Sequence, residues 1–481
     1  MKLNILKFKT NDGVKMIFDN YTGIVITETD NTEEILEKLN ENKGNISENF
    51  DDDNYAKEYK FLKGLYLNKY FNRDEFYKQQ VRKKPSLYDG ISSHIILITT
   101  EDCNLRCKYC VYSDFYEDKK SYSSKKMTFE VAKKAIDMVI EYHNNKVKRG
   151  YQDRLKVNFY GGEPLLNFKL VKKIVQYFKK INFNNVDYLI TTNGTVMNNE
   201  IIDFLAENNF LVAFSIDGNE FNHNRNRVTI TGLGTHRKAL SSLKQYKKRL
   251  DYYGFHDQII NITCCFDNYT NMEDLILFFE DIRKEIPNLN VIYNKIYDVD
   301  TGYYDYCDKI YLNSNLDKNT YADSTRKVFN KYYTNQGENI PNSVKSMFTS
   351  YYLLKNRKKG YINLLQGNAC VIGDKLAVSP DGNIYICEKA NQEIRIGDVN
   401  KGLDTTKIDD LYDAYYNIRE EKCLNCNISR LCDVCYAHFI KNGEIVFNEE
   451  FCSKRKEAYT KSLSLLYSKI NINKHIFDMA E

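Results

Sequence analysis

HIILITTEDCNLRCKYC, residues 94–110, decides the fold. Its first seven residues are an apolar run of the kind found in a buried strand. Cys103, Cys107 and Cys110 follow at once, in the spacing Cx3Cx2C. A loop this short can point three thiolates at one centre. Thiolate is a soft ligand, suited to iron–sulfur clusters or zinc. Three thiolates on a cubane leave one iron free for another ligand.

Outward from this stretch, apolar strand patterns recur at 155–160 (LKVNFY), 187–192 (DYLITT), 211–216 (LVAFSI), 258–266 (QIINITCCF) and 290–297 (NVIYNKIY). Helical patterns fill the gaps at 128–144, 168–180, 199–208, 235–249 and 271–285. Six strands with interposed helices predict repeated βαβ units and a parallel sheet. In such sheets chemistry sits at the carboxyl ends of the strands. The polar motifs fall there: VNFYGGEP (157–164), ITTNGT (190–195) and FSIDG (214–218), with HNRNR (223–227) close behind. Gly161 and Gly162 allow backbone to approach a ligand closely, and Glu163 supplies an anionic acceptor for an ammonium group.

The chain has 481 residues and a formal net charge of +4, too little for a general nucleic-acid field. Its 39 Tyr and 26 Phe exclude disorder as the main state. No apolar run approaches a membrane span, and the polar turn in MKLNILKFKTND is no secretory signal. A cytoplasmic, reducing location is expected. There, 13 cysteines are better read as metal ligands or reactive groups than as a disulfide framework.

Upstream, 3–8, 14–19 and 24–28 read as short strands separated by the turns TNDG and NYTG. Asn31 or Thr32 can cap a helix through EEILEKL, and two more helices are expected near 53–71 and 73–83, closing before Pro85. Residues 300–365 read as a bridge with weak helical signals. Downstream, Cys370 is followed by AVSPDGNIYIC, which ends at Cys387, and CLNCNISRLCDVC holds Cys423, Cys426, Cys432 and Cys435; Cys452 is last. Taken alone, Cx2Cx5Cx2C also suits a zinc ribbon.

Together these motifs resemble the radical S-adenosylmethionine (SAM) enzymes carrying a SPASM domain. The resemblance implies an α/β fold: a partial (β/α)6 barrel with a winged-helix-like leader-binding domain before it and an Fe–S SPASM domain after it. The expected organisation is 1–90 leader recognition, 91–300 barrel, 301–365 bridge, 366–455 SPASM and 456–481 helical tail. It implies SAM and three [4Fe–4S] clusters. Cys103, Cys107 and Cys110 hold the first, whose free iron SAM chelates; its reduction cleaves SAM to a 5′-deoxyadenosyl radical. By the same resemblance Tyr109 lies near adenine, and Gly161, Gly162 and Glu163 take the amino group. Thr192, Asn193, Ser215 and Asp217 face ribose and carboxylate, and Arg227 is a carboxylate partner.

In the SPASM pattern Cys370, Cys387 and Cys435 hold the inner auxiliary cluster, and Cys423, Cys426, Cys432 and Cys452 the outer. The inner one then lacks a protein ligand on one iron. The final Cx2C departs from the family's usual Cx3C. Cys264 and Cys265 read as buried, inert thiols, and Cys307 as a possible closing ligand.

The added N-terminal unit and the open iron resemble the thioether-forming peptide maturases of sactipeptides and ranthipeptides. The implied activity joins a cysteine sulfur to a carbon of another residue in a ribosomally made precursor with a leader. A flavodoxin- or ferredoxin-type electron donor is the further partner, with no nucleic acid and no membrane. Carbon–carbon or carbon–oxygen crosslinking, formylglycine formation on a sulfatase, and a non-enzymatic zinc-bound peptide-binding module are the alternatives. No side chain stands out as the general base.

Overall fold

The computed structural model describes residues 3–45, 50–80, 93–116, 121–299, 301–312, 314, 316–333, 341, 343–344, 363–366, 370, 372–373, 375–388 and 394–470. The N-terminal unit begins with β1 (Ile5–Lys9), β2 (Lys15–Asp19) and β3 (Val25–Thr27), an antiparallel meander with β2 in the middle. Three helices follow: α1 (Thr32–Glu41), α2 (Asp53–Leu67) and α3 (Arg73–Lys78). Asn31 stands at the α1 N-cap without a side-chain bond, and Thr32 Oγ1 accepts from Thr29 N–H (2.9 Å). Helix α2 stops at Leu67, where Asn68 closes on Gly64. The expected end before Pro85 lies outside the described residues.

The second unit is the expected alternation. Strands β4 (His94–Thr100), β5 (Leu155–Gly161), β6 (Val186–Thr192), β7 (Leu211–Ser215), β8 (Ile260–Phe266) and β9 (Leu289–Lys295) lie side by side in chain order, all parallel. Between them run α4 (Phe129–Lys148), α5 (Phe168–Lys180), α6 (Asn199–Glu207), α7 (Glu220–Asn226), α8 (His236–Tyr252) and α9 (Met272–Glu285). Helices α4, α6 and α9 start at the side chains of Thr128, Asn198 and Asn271, which accept from backbone N–H groups of the first turn. Alternate strand residues, among them Ile95, Leu97, Val157, Phe159, Val212 and Ile262, bury against helix residues such as Ile136, Val171 and Leu243. The other residues of each strand face the barrel interior.

Sequence periodicity missed α7, which has only seven residues. It also missed how the C-terminal part attaches. Strands β10 (Leu376–Val378), β11 (Asn383–Tyr385), β12 (Arg395–Asp398) and β13 (Gly402–Leu403) make no sheet of their own. β10 pairs in parallel with β4, so one ten-stranded sheet runs β13-β12-β11-β10-β4 and on to β9.

The bridge contains α10 (Tyr303–Tyr311) and α11 (Thr320–Tyr333). Helix α12 (Thr405–Ile418) precedes the last cysteine motif, and the hairpin β14 (Ile440–Lys441) and β15 (Glu444–Ile445) follows it. The terminal helix α13 (Glu449–Ile470) starts seven residues before the expected tail and carries Cys452. Residues 471–481 of that tail lie outside the described residues.

The N-terminal unit does not stand apart. Leu6, Phe8, Met16 and Phe18 share one core with Ile428, Leu431, Tyr459, Leu463 and Tyr467. The outer edge of β1 is also used: Asn427 Nδ2 donates to Ile5 O (3.1 Å) and Ser464 Oγ to Lys9 O (2.5 Å).

Candidate functional site

The three-cysteine loop leaves the end of β4 and is laced to the segment after α7. Arg106 N–H donates to Val228 O (2.8 Å) and Lys108 N–H to Asn226 O (3.1 Å). The two glycines at the end of β5 close the other side. Gly162 N–H donates to Thr100 O (3.0 Å) and Glu163 N–H to Asp102 O (2.9 Å). A Cβ on Gly162 would meet Asp102 O at 2.1 Å; one on Gly161, at φ +137°, would meet Thr100 O at 2.2 Å. Only glycine lets β5 press against the cysteine loop this closely.

Glu163 is buried and receives three hydrogen bonds. Oε1 accepts from Thr192 Oγ1 (2.8 Å) and Leu165 N–H (3.2 Å), and Oε2 from Asn193 N–H (2.8 Å). Burial pushes its pKa up to about 7 against the pull of these donors. A carboxylate has about four acceptor positions, so one remains for an ammonium donor. Asn193 reaches the cysteine loop itself: Nδ2 lies 3.9 Å from Cys103 Sγ and donates to Asn104 Oδ1 (3.0 Å).

On the far side, Arg227 Nε donates to Asp217 Oδ2 (2.9 Å), and Tyr109 donates its hydroxyl to the same oxygen. Cys265 N–H takes Asp217 Oδ1 (2.9 Å). The Arg227 guanidinium lies 5.4 Å from the Tyr109 ring centroid, with Nη1 3.9 Å from Cys107 Sγ. Its Nε edge is therefore taken, which leaves less of the fork for a ligand carboxylate than the sequence suggested. Ser215 is buried at the end of β7, between these two sides of the barrel mouth.

Residues outside the motifs hold this arrangement. His223 Nδ1 accepts from Asp217 N–H (3.3 Å), and Nε2 pairs with Thr235 Oγ1 (3.0 Å), which donates to Arg227 O (2.8 Å). Burial and then Arg227 lower the His223 pKa to about 2, so the ring stays neutral. Arg225 binds Asp267 through both Nη atoms (3.0 and 2.9 Å), and Tyr303 donates its hydroxyl to Asp267 Oδ2 (2.7 Å) while lying 3.0 Å from the Asn226 carboxamide. That bolts α10 onto the segment holding the cysteine loop. The sequence signal was weak: only HNRNR hinted at a polar cluster.

Strand parity separates the pair in β8. Cys264 is fully buried against the helices, as expected. Cys265 is half-buried on the opposite face, near Asp217 and Tyr109, so the expectation of a buried thiol fails there. Cys307 is packed among Tyr269, Ile296, Tyr303 and Tyr304. Burial pushes it up to about 11, and its charged neighbours are Asp267, Arg225 and Asp308 rather than any C-terminal cysteine.

The C-terminal cysteines share their surroundings in overlapping groups, with Tyr415 near both Cys435 and Cys423. Burial, then the charges of Cys387, Cys435, Cys370 and Glu388, raise the Tyr436 hydroxyl. Lys375 is lowered by burial but raised overall by Glu388, Cys370, Cys387 and Cys435. Tyr436 also donates to Ile386 O (3.2 Å), tying the two halves of that group together. Burial and then Cys423 and Cys426 push Cys452 up to about 12; Cys432 reaches about 12 by burial, then Asp433, Cys423 and Cys426.

Among the described residues no three His, Cys, Asp or Glu side chains converge tightly enough for a single metal ion. A cubane asks less, since each thiolate takes a different iron. The first three cysteines suit such a cluster in donor type. Their loop is closed by backbone contacts that exclude larger residues, and Asn193 and Arg227 point donors at two of the sulfurs.

Residues 97–278 match the radical SAM superfamily. The chain is a radical SAM enzyme. The radical SAM cyclopropyl synthase TigE of Paramaledivibacter caminithermalis is 23% identical over 404 residues, covering 81% of this chain and 78% of TigE. A cysteine-type anaerobic sulfatase-maturating enzyme of Clostridium perfringens is 24% identical over 356 residues, 71% of this chain and 87% of the relative. These likenesses group this radical SAM enzyme with the SPASM-type maturases.

Among solved structures, that of anSMEcpe with bound AdoMet and the Cp18Cys peptide superposes with a TM-score of 0.55 at 22% identity. It covers 79% of this chain and 99% of the other, and so shares the α/β fold with its large parallel sheet. Membership implies SAM and a [4Fe–4S] cluster. Among the described residues no helix is long and apolar enough to cross a membrane.

Proposed function

We propose that this enzyme is a peptide maturase that installs thioether crosslinks in a ribosomally made precursor. The reading is supported by the pattern of the seven C-terminal cysteines, which the SPASM resemblance assigns as a set of three and a set of four, and by the shared surroundings of Cys370, Cys387 and Cys435 about Lys375 and Tyr436. Four thiolates complete a cubane, whereas three leave one iron for a ligand from outside. A cysteine of the substrate is of the right softness for that position.

In this reading Cys103, Cys107 and Cys110 hold the first cluster. That cluster, when reduced, supplies the electron that cleaves SAM. Glu163 offers its remaining acceptor position to the SAM ammonium. Thr192 and the Asn193 backbone keep the carboxylate oriented, and Gly161 and Gly162 keep the pocket wall thin. Arg227, fixed by Asp217 and Tyr109, presents Nη groups and a positive charge toward the cysteine loop. Ser215 and Asn193 add neutral polar atoms for ribose and carboxylate oxygens. For each crosslink the SAM C5′–S bond, one substrate C–H bond and one S–H bond break, and one substrate C–S bond and the new C–H bond of 5′-deoxyadenosine form, with methionine released. An external flavodoxin- or ferredoxin-type donor would supply the electron that cleaves SAM, and the substrate would give up one proton and return one electron.

The N-terminal meander serves as the leader site, in a winged-helix-like unit. Strand β2 is paired on both sides and β1 is covered, so the leader adds at β3. Asp19 N–H bonds to Ile24 O and Glu28 N–H to Lys15 O, which leaves the backbone groups of Val25 and Thr27 pointing outward.

The test is anaerobic turnover of the reconstituted full chain with SAM, a reductant and a cysteine-containing precursor encoded near its gene. Loss of two hydrogens and of one free thiol per crosslink supports the reading. A second reading, formylglycine formation, is favoured by the likeness to a sulfatase-maturating enzyme over 87% of that relative. It predicts loss of sulfur from a sulfatase-derived cysteine peptide and no crosslink.

A further inference from the structure

We infer that Asn20, in the turn after β2, is a positioning residue for the outer auxiliary cluster, and that the N-terminal unit is that cluster's scaffold. The inference rests on the proposed role of Cys423, Cys426, Cys432 and Cys452 as its ligands. The loop between Cys426 and Cys432 is a run of turns, with Ser429 N–H donating to Cys426 O (3.2 Å) and Leu431 N–H to Ile428 O (2.9 Å). Its side chains are held from across the molecule.

The Asn20 carboxamide grips this loop with both ends. Nδ2 donates to Ser429 Oγ (2.9 Å), and Oδ1 accepts from Arg430 N–H (2.9 Å). Ser429 passes the grip on to two ligand residues. Its Oγ donates to Cys426 O (2.9 Å), and its carbonyl accepts from Cys432 N–H (3.3 Å). Asn20 is thus two hydrogen bonds from the backbone of each. Its own side chain is fully buried, and its backbone N–H is held by Asn4 O (3.2 Å).

Neighbouring contacts make the clamp rigid. Asn4 Nδ2 donates to Leu424 O (2.8 Å), one residue past Cys423, and Asn427 Nδ2 to Ile5 O (3.1 Å). Arg430, the largest fully buried side chain, runs into the N-terminal unit and donates to Tyr21 O (3.1 Å) near the buried Asp19. Ile428 and Leu431 close the apolar side with Leu6, Phe8 and Phe18. The carboxamide oxygens of Asn4 and Asn427 stay buried without a partner, but the other polar groups of the clamp pair with one another, and a slip would leave several more of them unpaired. A cluster whose ligand loop is set this way depends on the N-terminal unit for its geometry, and therefore for its potential.

The test uses the full chain, reconstituted anaerobically, with iron, sulfide and the electron paramagnetic resonance of the reduced outer cluster as readouts. Ser429→Ala and Asn20→Ala are each expected to lose about four irons per chain, one cubane's worth, or to shift that cluster's signal and midpoint potential. Ser429→Thr, which keeps the hydroxyl, is expected to restore both. Uncoupled SAM cleavage at the first cluster stays at the wild-type rate and reports that the barrel is folded. Should Asn20→Ala fail to fold, Ser429→Ala and its rescue decide. Wild-type iron, signal and potential in Ser429→Ala would overturn the inference. Cys452→Ala separates this from the cluster assignment beneath it: if that variant loses no iron, the assignment has failed first.

Discussion

Arg227 and Asp217 form an ion pair at 2.9 Å between Nε and Oδ2, with side-chain exposures of only 9% and 2%. Tyr109 and the Cys265 backbone complete the carboxylate's partners. Removing one member of a buried pair leaves the other charge uncompensated, at a cost of about 3–5 kcal/mol. Arg227→Met is therefore expected to lower unfolding free energy by about that much in a denaturant titration. It should also cut SAM cleavage. A loss below about 1 kcal/mol, the range of an exposed pair, would mean the pair is not buried as described.

Glu163 gives the pH dependence. Burial raises its pKa to about 7, above the ordinary carboxylate value. A raised folded pKa favours the protonated form, so the ligand-free fold gains stability at low pH and loses it as pH rises through about 7. An ammonium ligand selects the ionised form, so binding has the opposite slope. SAM affinity should be full above about pH 8 and fall roughly tenfold by about pH 6. Calorimetry on Glu163→Gln should give weaker binding with that slope gone. A wild-type affinity flat across this range would remove Glu163 from the SAM ammonium.

The edge of β3 makes a sharper prediction than deletion of the whole unit. Thr27→Pro removes an outward N–H without touching the bonds to β2. Leader binding to the full chain should weaken at least tenfold, about 1.4 kcal/mol, by fluorescence anisotropy. Residues 1–90 alone are the wrong reagent, since Leu6, Phe8, Met16 and Phe18 lie against the C-terminal part. Undiminished leader binding in Thr27→Pro would move the site elsewhere.

The proposed three-and-four assignment of the C-terminal cysteines predicts separable metal content. Cys387→Ser and Cys452→Ser should each lose about four irons, and the double variant about eight. Elemental analysis with sulfide determination checks this and would expose zinc in their place. A double variant that loses no more than either single one would show that the seven cysteines serve one centre.

Much of this was legible in the chain. The six barrel strands and the helices between them follow from apolar runs and amphipathic periods long enough to be read one by one, as 168–180 shows. The glycines of GGEP announced a close backbone approach, and Asp102 O fills that space. What could not be read depends on distance in sequence. The strand of Leu376–Val378 is too short to show a period, and nothing in it names His94–Thr100 as its neighbour. Asn20 and Ser429 meet across more than 400 positions. Cys264 and Cys265 looked alike until the alternation of β8 sent them to opposite faces. Cys307 looked like a spare ligand until α10 put it among tyrosines.

Cys103, Cys107 and Cys110 are proposed to hold the cluster that cleaves SAM. The most direct measurement is reductive SAM cleavage by the anaerobically reconstituted Cys103→Ala/Cys107→Ala/Cys110→Ala variant, with 5′-deoxyadenosine quantified beside iron. No 5′-deoxyadenosine above background and a loss of about four irons are expected, with the remaining iron retained. 5′-Deoxyadenosine formed at the wild-type rate by that variant would contradict it.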